Sequence, residues 1–403
     1  MNRDLIQSGN FYNSEIHFFP SSEDYSVYYT YKIPYSQLFF EKNDSVFTSG
    51  FSVNIEVRDS TNIFITRAFD EKDIAEKDFN VTNSKTTTLQ GFIKLKLKEG
   101  KYKLLAIISD KTSKRERRIH PIDLNISESE RILDPIIFDP NKILCEGNDS
   151  YVLLNNSSAV PFNKTEDILA IPVIDSSINS LKINVTRGDT TFLSNVEDNK
   201  SIFYSASFGY CNDEIIIKRD ENGPDIKYFL FNNISAKLTE GPVKLEVIPD
   251  NDVEKKKIFK LEVIWIGKPF SLRDPEEAIK LLTNVESEDK VDQMLDGDDE
   301  MKELNSYWTK LDPTPDTKYN ELMNEFYQRV DYCEMEFKSI DGKGGANTDR
   351  GKIYIKYGPP NRIDRNTTNQ DKVVESWFYD HPKRSFVFID KDGTGKYTLY
   401  TGQ

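Results

Sequence analysis

Phe92–Ile108 reads FIKLKLKEGKYKLLAII. Ile93, Leu95 and Leu97 alternate with Lys94, Lys96 and Lys98, the two-residue period of a strand with one face in a core and the other in water. Lys98-Glu99-Gly100-Lys101 supplies a turn, and Tyr102–Ile108 follows as a second strand. Ser26–Ile33 (SVYYTYKI) and Phe51–Val57 (FSVNIEV) upstream have the same character. Short strands at this interval, with no helical spacing between them, predict a β-sandwich-like module over residues 1–130.

A second β-sandwich-like module is expected over residues 131–268. Its strands are Ile168–Ile174, Leu181–Val185, Ser201–Phe208, Glu214–Lys218, Lys227–Phe231, Val243–Ile248 and Ile258–Ile266. KLKEGKYKLLAI from Lys96 aligns with KLTEGPVKLEVI from Lys237 as two strand–turn–strand units. Duplication of one sandwich and convergent hairpin chemistry both account for such a match.

The character changes at Ser271. Asp274-Pro275-Glu276-Glu277 places an N-cap, a proline at the first helical position and an acid three residues after the cap. Ser287 caps a second short helix. Met301, Leu304, Trp308 and Leu311 mark a third, ending before Pro313. Tyr319, Leu322, Phe326, Val330, Cys333 and Phe337 form one stripe on a fourth. Strands return at Lys352–Tyr357 (KIYIKY), Val373–Tyr379, Ser385–Ile389 and Tyr397–Tyr400, with Asp390–Gly395 as the last hairpin turn. The expected fold is mainly β with an α+β C-terminal domain over residues 269–403, a helical segment packed on a small antiparallel sheet.

The 403 residues carry a formal net charge of −14, which repels nucleic acid and anionic lipid unless a local basic patch intervenes. The one dense basic run, Lys111–Arg118 (KTSKRERR), sits between strand-like segments and reads as a solvated loop or an anion site. No stretch reaches the roughly 18 apolar residues of a spanning helix, so no direct membrane span is expected. Cys145, Cys211 and Cys333 are far apart; Cys145 and Cys211 are a possible pair, which spacing alone does not decide.

Catalytic signatures are missing from the sequence. His17, His120 and His381 fall in different modules without a helical-spaced partner histidine, so neither a metal nor a cofactor is expected. No Gly-x-Ser-x-Gly elbow, phosphate-binding loop or His-Glu-x-x-His occurs.

An ordered series of motifs does stand out in the last third. It comprises Arg273–Ala278, Tyr307-Trp308-Thr309-Lys310-Leu311-Asp312-Pro313-Thr314-Pro315, Asn324–Val330, Thr348-Asp349-Arg350-Gly351, Tyr357-Gly358-Pro359-Pro360 and Glu375-Ser376-Trp377-Phe378-Tyr379. Together these resemble the GWxTD domain of bacterial proteins. The naming pentapeptide is Gly345-Ala346-Asn347-Thr348-Asp349, with alanine at the tryptophan position.

The resemblance implies binding residues at Trp308, Thr348, Asp349, Arg350, Tyr357, Gly358 and Trp377, and no catalytic ones. Arg350 is expected to pair with Asp349 or Glu375. A non-enzymatic interaction or scaffold protein follows, envelope-associated, periplasmic or secreted if a signal peptide was trimmed and cytoplasmic if Met1 is the true start, with protein partners in the envelope. The competing expectations are a hydrolase of a polymeric substrate and an array of carbohydrate-binding modules.

Overall fold

The computed structural model describes residues 12–84, 87–127, 131–145, 148–155, 159–163, 166–197, 201–220, 223–338, 344–367 and 372–400. The chain forms two compact units, Met1–Gly267 and Lys268–Gln403.

The first unit begins with β1 (Asn13–Pro20), β2 (Tyr25–Pro34), β3 (Glu41–Asn43), β4 (Val46–Asp59) and β5 (Phe64–Glu76). A single helical turn, α1 (Phe79–Thr82), precedes β6 (Thr88–Leu97), β7 (Gly100–Asp110), β8 (Glu116–Arg118) and β9 (Ile122–Ile126). Strands β1-β2-β6 make a three-stranded antiparallel sheet, and β3-β4-β7-β8 a second one, with β5 paired to β4 and β9 to β7. The turn at Gly100 therefore carries the chain from one sheet to the other and does not close a hairpin. The alternating residues of β6 and β7 explain this. Ile93, Leu95 and Leu97 on one, and Leu104, Ala106 and Ile108 on the other, are all buried in one core.

Twelve strands follow: β10 (Ile136–Cys145), β11 (Asn148–Leu153), β12 (Ala159–Pro161), β13 (Ile168–Val173), β14 (Leu181–Arg187), β15 (Thr190–Glu197), β16 (Ser201–Tyr204), β17 (Ala206–Cys211), β18 (Glu214–Arg219), β19 (Ile226–Asn232), β20 (Gly241–Pro249) and β21 (Lys257–Ile264). They form a seven-stranded sheet, β16-β19-β13-β10-β11-β18-β17, and a five-stranded sheet, β12-β21-β20-β14-β15. The stretch read as one strand over Ser201–Phe208 is two strands broken at Ser205. In the aligned segment from Lys237, Lys237 closes a 3-10 turn (Ser235–Lys237) and the strand begins only at Gly241. The likeness to Lys96–Ile107 is thus confined to a glycine that opens a strand.

Two of the four sheets are buried on both faces. On β2, Tyr31 stacks toward Phe51 of β4 at 6.4 Å, while Tyr28 on the opposite face lies 4.7 Å from Phe208 of β17. On β19, Ile226 and Tyr228 join that shared core. The alternate residues Phe229 and Phe231 are fully buried on the other face, and β19 lies against β15 of the five-stranded sheet. The layers run six-stranded, three-stranded, seven-stranded, five-stranded. Cys145 and Cys211, at the ends of β10 and β17, are joined as a disulfide.

In the second unit, α2 (Pro275–Leu281), α3 (Glu288–Leu295), α4 (Glu300–Thr309), α5 (Glu321–Glu336) and α6 (Asp349–Tyr357) precede β22 (Arg362–Thr367), β23 (Val373–Tyr379), β24 (Arg384–Asp390) and β25 (Tyr397–Leu399). The four strands form one antiparallel sheet in sequence order. Asp274 caps α2 by accepting from the amides of Glu276 and Glu277, and Asp299 caps α4 through Lys302. Leu322, Met301 and Leu311 of the apolar stripes are more than two-fifths exposed, and the buried positions are Leu304, Tyr307 and Trp308 on α4 and Phe326, Tyr327, Val330 and Cys333 on α5.

Lys352–Tyr357, expected as a strand, is the body of α6. Six residues fit a period of two and a helical period alike, and the ends decide between them. Thr348 accepts from the Gly351 amide as N-cap, and Gly358 closes the helix at φ 78°. The mainly β fold with an α+β C-terminal part stands.

Candidate functional site

The Gly345–Asp349 segment is built by close backbone approach. Gly345–Asn347 is a 3-10 turn held against α5, because both Glu334 carboxylate oxygens accept from the amides of Gly345 and Ala346 at 3.1 and 2.9 Å. A Cβ on Gly345 would stand 1.8 Å from the Cys333 carbonyl oxygen, and one on Gly351 would stand 2.1 Å from that of Gly345. Only glycine allows the turn, α5 and α6 to meet this closely. Thr348 links them further: its hydroxyl donates to the Gly345 carbonyl at 2.7 Å and accepts from the Gly351 amide at 3.0 Å. Ala346, at the tryptophan position of the signature, is completely buried.

From this turn α6 projects Arg350, Tyr354 and Tyr357 along one face, at four- and three-residue spacing, toward the sheet. The Arg350 guanidinium lies between aromatic rings, 4.0 Å from the Tyr397 ring centre and 4.8 Å from that of Phe337. Glu375 on β23 lies 3.7 Å away and is only 1% exposed. It also accepts from Arg365 Nε at 2.8 Å and from Trp377 Nε1 at 2.6 Å. Burial draws the Arg350 guanidinium below its ordinary value, and Glu375 opposes that shift; arginine nonetheless keeps its charge in proteins. Of the two acids expected as partners, Glu375 is the one used. Asp349 is taken up elsewhere: its Oδ2 accepts the Leu399 amide at 2.8 Å, pinning β25 to the start of α6.

A cleft of about 80 Å³ opens between these groups, lined by Phe337, Thr348, Asp349, Arg350, Lys396 and Tyr397. It has room for a few waters or one small polyatomic ion. Cys333 lies fully buried beneath α6, and burial pushes its thiol up to about 12. It is therefore protonated at neutral pH and lacks the thiolate that nucleophilic chemistry requires. Tyr354 is pushed to about 12 by the same cause.

The remaining expected residues fall in three places. Trp377, 1% exposed, packs its ring 4.8 Å from Phe388 and 5.6 Å from Phe337, directly under the Arg350–Glu375 pair. Tyr357 and Gly358 lie at the far end of α6: Arg384 donates to the Tyr357 hydroxyl at 3.1 Å, and the Gly358 carbonyl accepts from Tyr379 at 3.0 Å. Trp308 is elsewhere, in the helical layer with Phe326 at 5.4 Å and Tyr327 at 5.7 Å. Its carbonyl accepts from Asn320, whose side chain also caps α5. The cleft thus gathers Thr348, Asp349 and Arg350 and leaves out Trp308, Tyr357, Gly358 and Trp377, the last buried beside the Arg350–Glu375 pair.

Arg365, Phe337 and Tyr397 were not expected in this cluster. Arg365 was missed because Arg362–Thr367 (RIDRNT) has no apolar alternation, and only its pairing opposite Glu375 places it there. Phe337 ends the α5 stripe and reads from sequence as ordinary core. Among the described residues, no group of three or more His, Cys, Asp or Glu is placed to hold a metal ion.

The unit is therefore a small α+β domain in which a capped, glycine-tight turn launches a helix across an antiparallel sheet. The family model of the GWxTD domain matches residues 250–401, so the chain carries a GWxTD domain. The match takes in β21 of the first unit as well as the second unit. No curated protein matches the chain.

Proposed function

We propose that the chain is a non-enzymatic interaction protein, exported to the bacterial envelope or beyond, whose β-sheet unit and GWxTD domain engage protein partners there. One observation carries the reading. The polar groups of the signature segment are turned inward on the fold: Thr348 on Gly345 and Gly351, Asp349 on Leu399, Arg350 on Glu375 and two rings. Hydrolysis of a polymer calls for titratable groups converging on a bound substrate in an open groove, and a cleft of about 80 Å³ does not admit one. The Cys145–Cys211 disulfide supports export, since such bonds persist in oxidising compartments. A partner surface is supported by Ile63, Phe64 and Ile65, exposed by 62, 52 and 44% at the tip of the β4–β5 hairpin, and by Phe69, 69% exposed further along β5.

The test is capture of partners by the intact chain from native envelope extract, beside a Phe64→Asp/Phe69→Asp form. A specific partner lost with the double substitution is the expected result. Turnover of peptidoglycan or another envelope polymer, abolished by Glu375→Gln in a folded protein, would overturn the reading.

A further inference from the structure

The outer face of the six-stranded sheet carries a groove of about 740 Å³, within the range of small-molecule sites. Its origin is an interruption in pairing. Strand β8 lies on Ile107–Ser109 of β7 and β9 on Gly100–Leu104, both along the same edge. Between them Ile119 still bonds the Ala106 carbonyl at 2.9 Å, while His120 and Pro121 lift away to form a lip. Leu105 and Ile107, both half-buried, floor the groove.

The charged lining is mostly cationic. Arg58 and Arg67 reach in from β4 and β5, and Arg118 and His120 from the lip. Glu56 is the one carboxylate among the described lining residues. It accepts from Arg58 at 2.6 Å and from Arg67 at 2.8 Å, which fixes both guanidinium groups in orientation. The backbone of Arg118 pairs with Ile107 of β7, but the Arg118 guanidinium makes no hydrogen bond or ion pair with a described residue. Three guanidinium groups against one carboxylate, in a chain of net charge −14, form a local inversion of the molecule's field. Arg118 closes the basic run Lys111–Arg118, so one member of that run faces a cavity while its neighbour Arg115 faces solvent.

We infer that this groove binds an amphipathic organic anion, with a carboxylate or phosphate head at Arg118 and a hydrocarbon body on Leu105 and Ile107. A planar guanidinium recognises either head through paired hydrogen bonds. The apolar floor gives a ligand with a chain an advantage over a bare ion.

Calorimetric titration of the full chain with dodecanoate, its trimethylammonium counterpart and inorganic phosphate tests the inference. Saturable one-site binding of dodecanoate is expected, weakening as salt is raised. Arg118→Glu lowers the affinity by at least about tenfold, and Ile107→Asn lowers it for dodecanoate but not for phosphate. Arg115→Glu, a control of equal charge change, leaves it unaltered, and unchanged thermal midpoints verify the fold. Equal binding of the cationic amphiphile, equal loss in Arg115→Glu and Arg118→Glu, or phosphate binding as tightly as dodecanoate would each overturn it.

Discussion

Glu375 illustrates how few side chains hold the C-terminal sheet to its helices. One buried carboxylate answers two arginines and an indole. Replacing it with alanine leaves Arg350 12% exposed without its counter-charge, which costs about 3–5 kcal/mol by analogy with other broken buried pairs. Urea denaturation of Glu375→Ala, followed by intrinsic tryptophan fluorescence, is expected to show a loss of this size. Arg365→Ala, removing a mostly exposed partner, is expected to cost under about 1 kcal/mol. At the signature, Ala346→Trp restores the residue that names the family but inserts an indole where the side chain is wholly buried. Overpacking of this kind costs about 1–3 kcal/mol or more, and a raised melting temperature in that variant would contradict the geometry described for the turn. Sequence alone placed Arg350 beside an acid without choosing which; the choice depends on Asp349 being occupied by a strand some fifty residues later, a long-range fact.

Helices α2 and α3 were legible because Asp274-Pro275 and Ser287 mark their starts, although Ser287 makes no side-chain cap bond, and α4 and α5 because their apolar residues recur at helical spacing. Helix α6 was not, since its cap sits in an unusual turn and its core side faces a sheet formed later in the chain. Strand β22 was hidden by its polar composition. The capping of α6 by Thr348 makes a modest prediction: Thr348→Ala should destabilise the second unit by about 1 kcal/mol, whereas Gly351→Ala should cost several-fold more, because its methyl meets a carbonyl oxygen at 2.1 Å. Another element-level effect concerns β13. Asp167, just before it, is fully buried and accepts the Ser235 amide at 3.0 Å; burial raises its carboxyl to about 6. With the folded value above the unfolded one, its contribution is fully present below the unfolded value near 4 and is lost as pH rises through 6. The full shift corresponds to about 3 kcal/mol. Stability measured from about pH 4 to 6.5 should fall more steeply for the native chain than for Asp167→Asn; parallel curves would show that Asp167 does not titrate in this way.

On the scale of the molecule, strand alternation revealed that the first two-thirds is built of sheets but not how the sheets stack. A residue buried on one face and a residue buried on both look alike when every strand is rich in Tyr, Phe and Ile, as β2 and β19 are. Likewise, nothing in the spacing of Cys145 and Cys211, 66 residues apart, required their union. Closing a loop of that length is worth roughly 4 kcal/mol in chain entropy. Cys145→Ser/Cys211→Ser should therefore lower the stability of the first unit by up to that amount, measured by calorimetry against the oxidised chain. A fragment ending near residue 130 is expected to aggregate, because Phe19, Tyr28 and Phe92 lose Phe208, around which they pack.

That packing also sets a timetable. A ribosome releases Phe19, Tyr28 and Phe92 well before Phe208 and Tyr228 exist, so the three-stranded sheet emerges with an uncovered aromatic face and waits more than a hundred residues for its cover. Exposed faces of this kind are what holding chaperones bind. The nascent chain should thus lean on such a helper until the seven-stranded sheet has been made, and crowded overexpression should strand it at that stage.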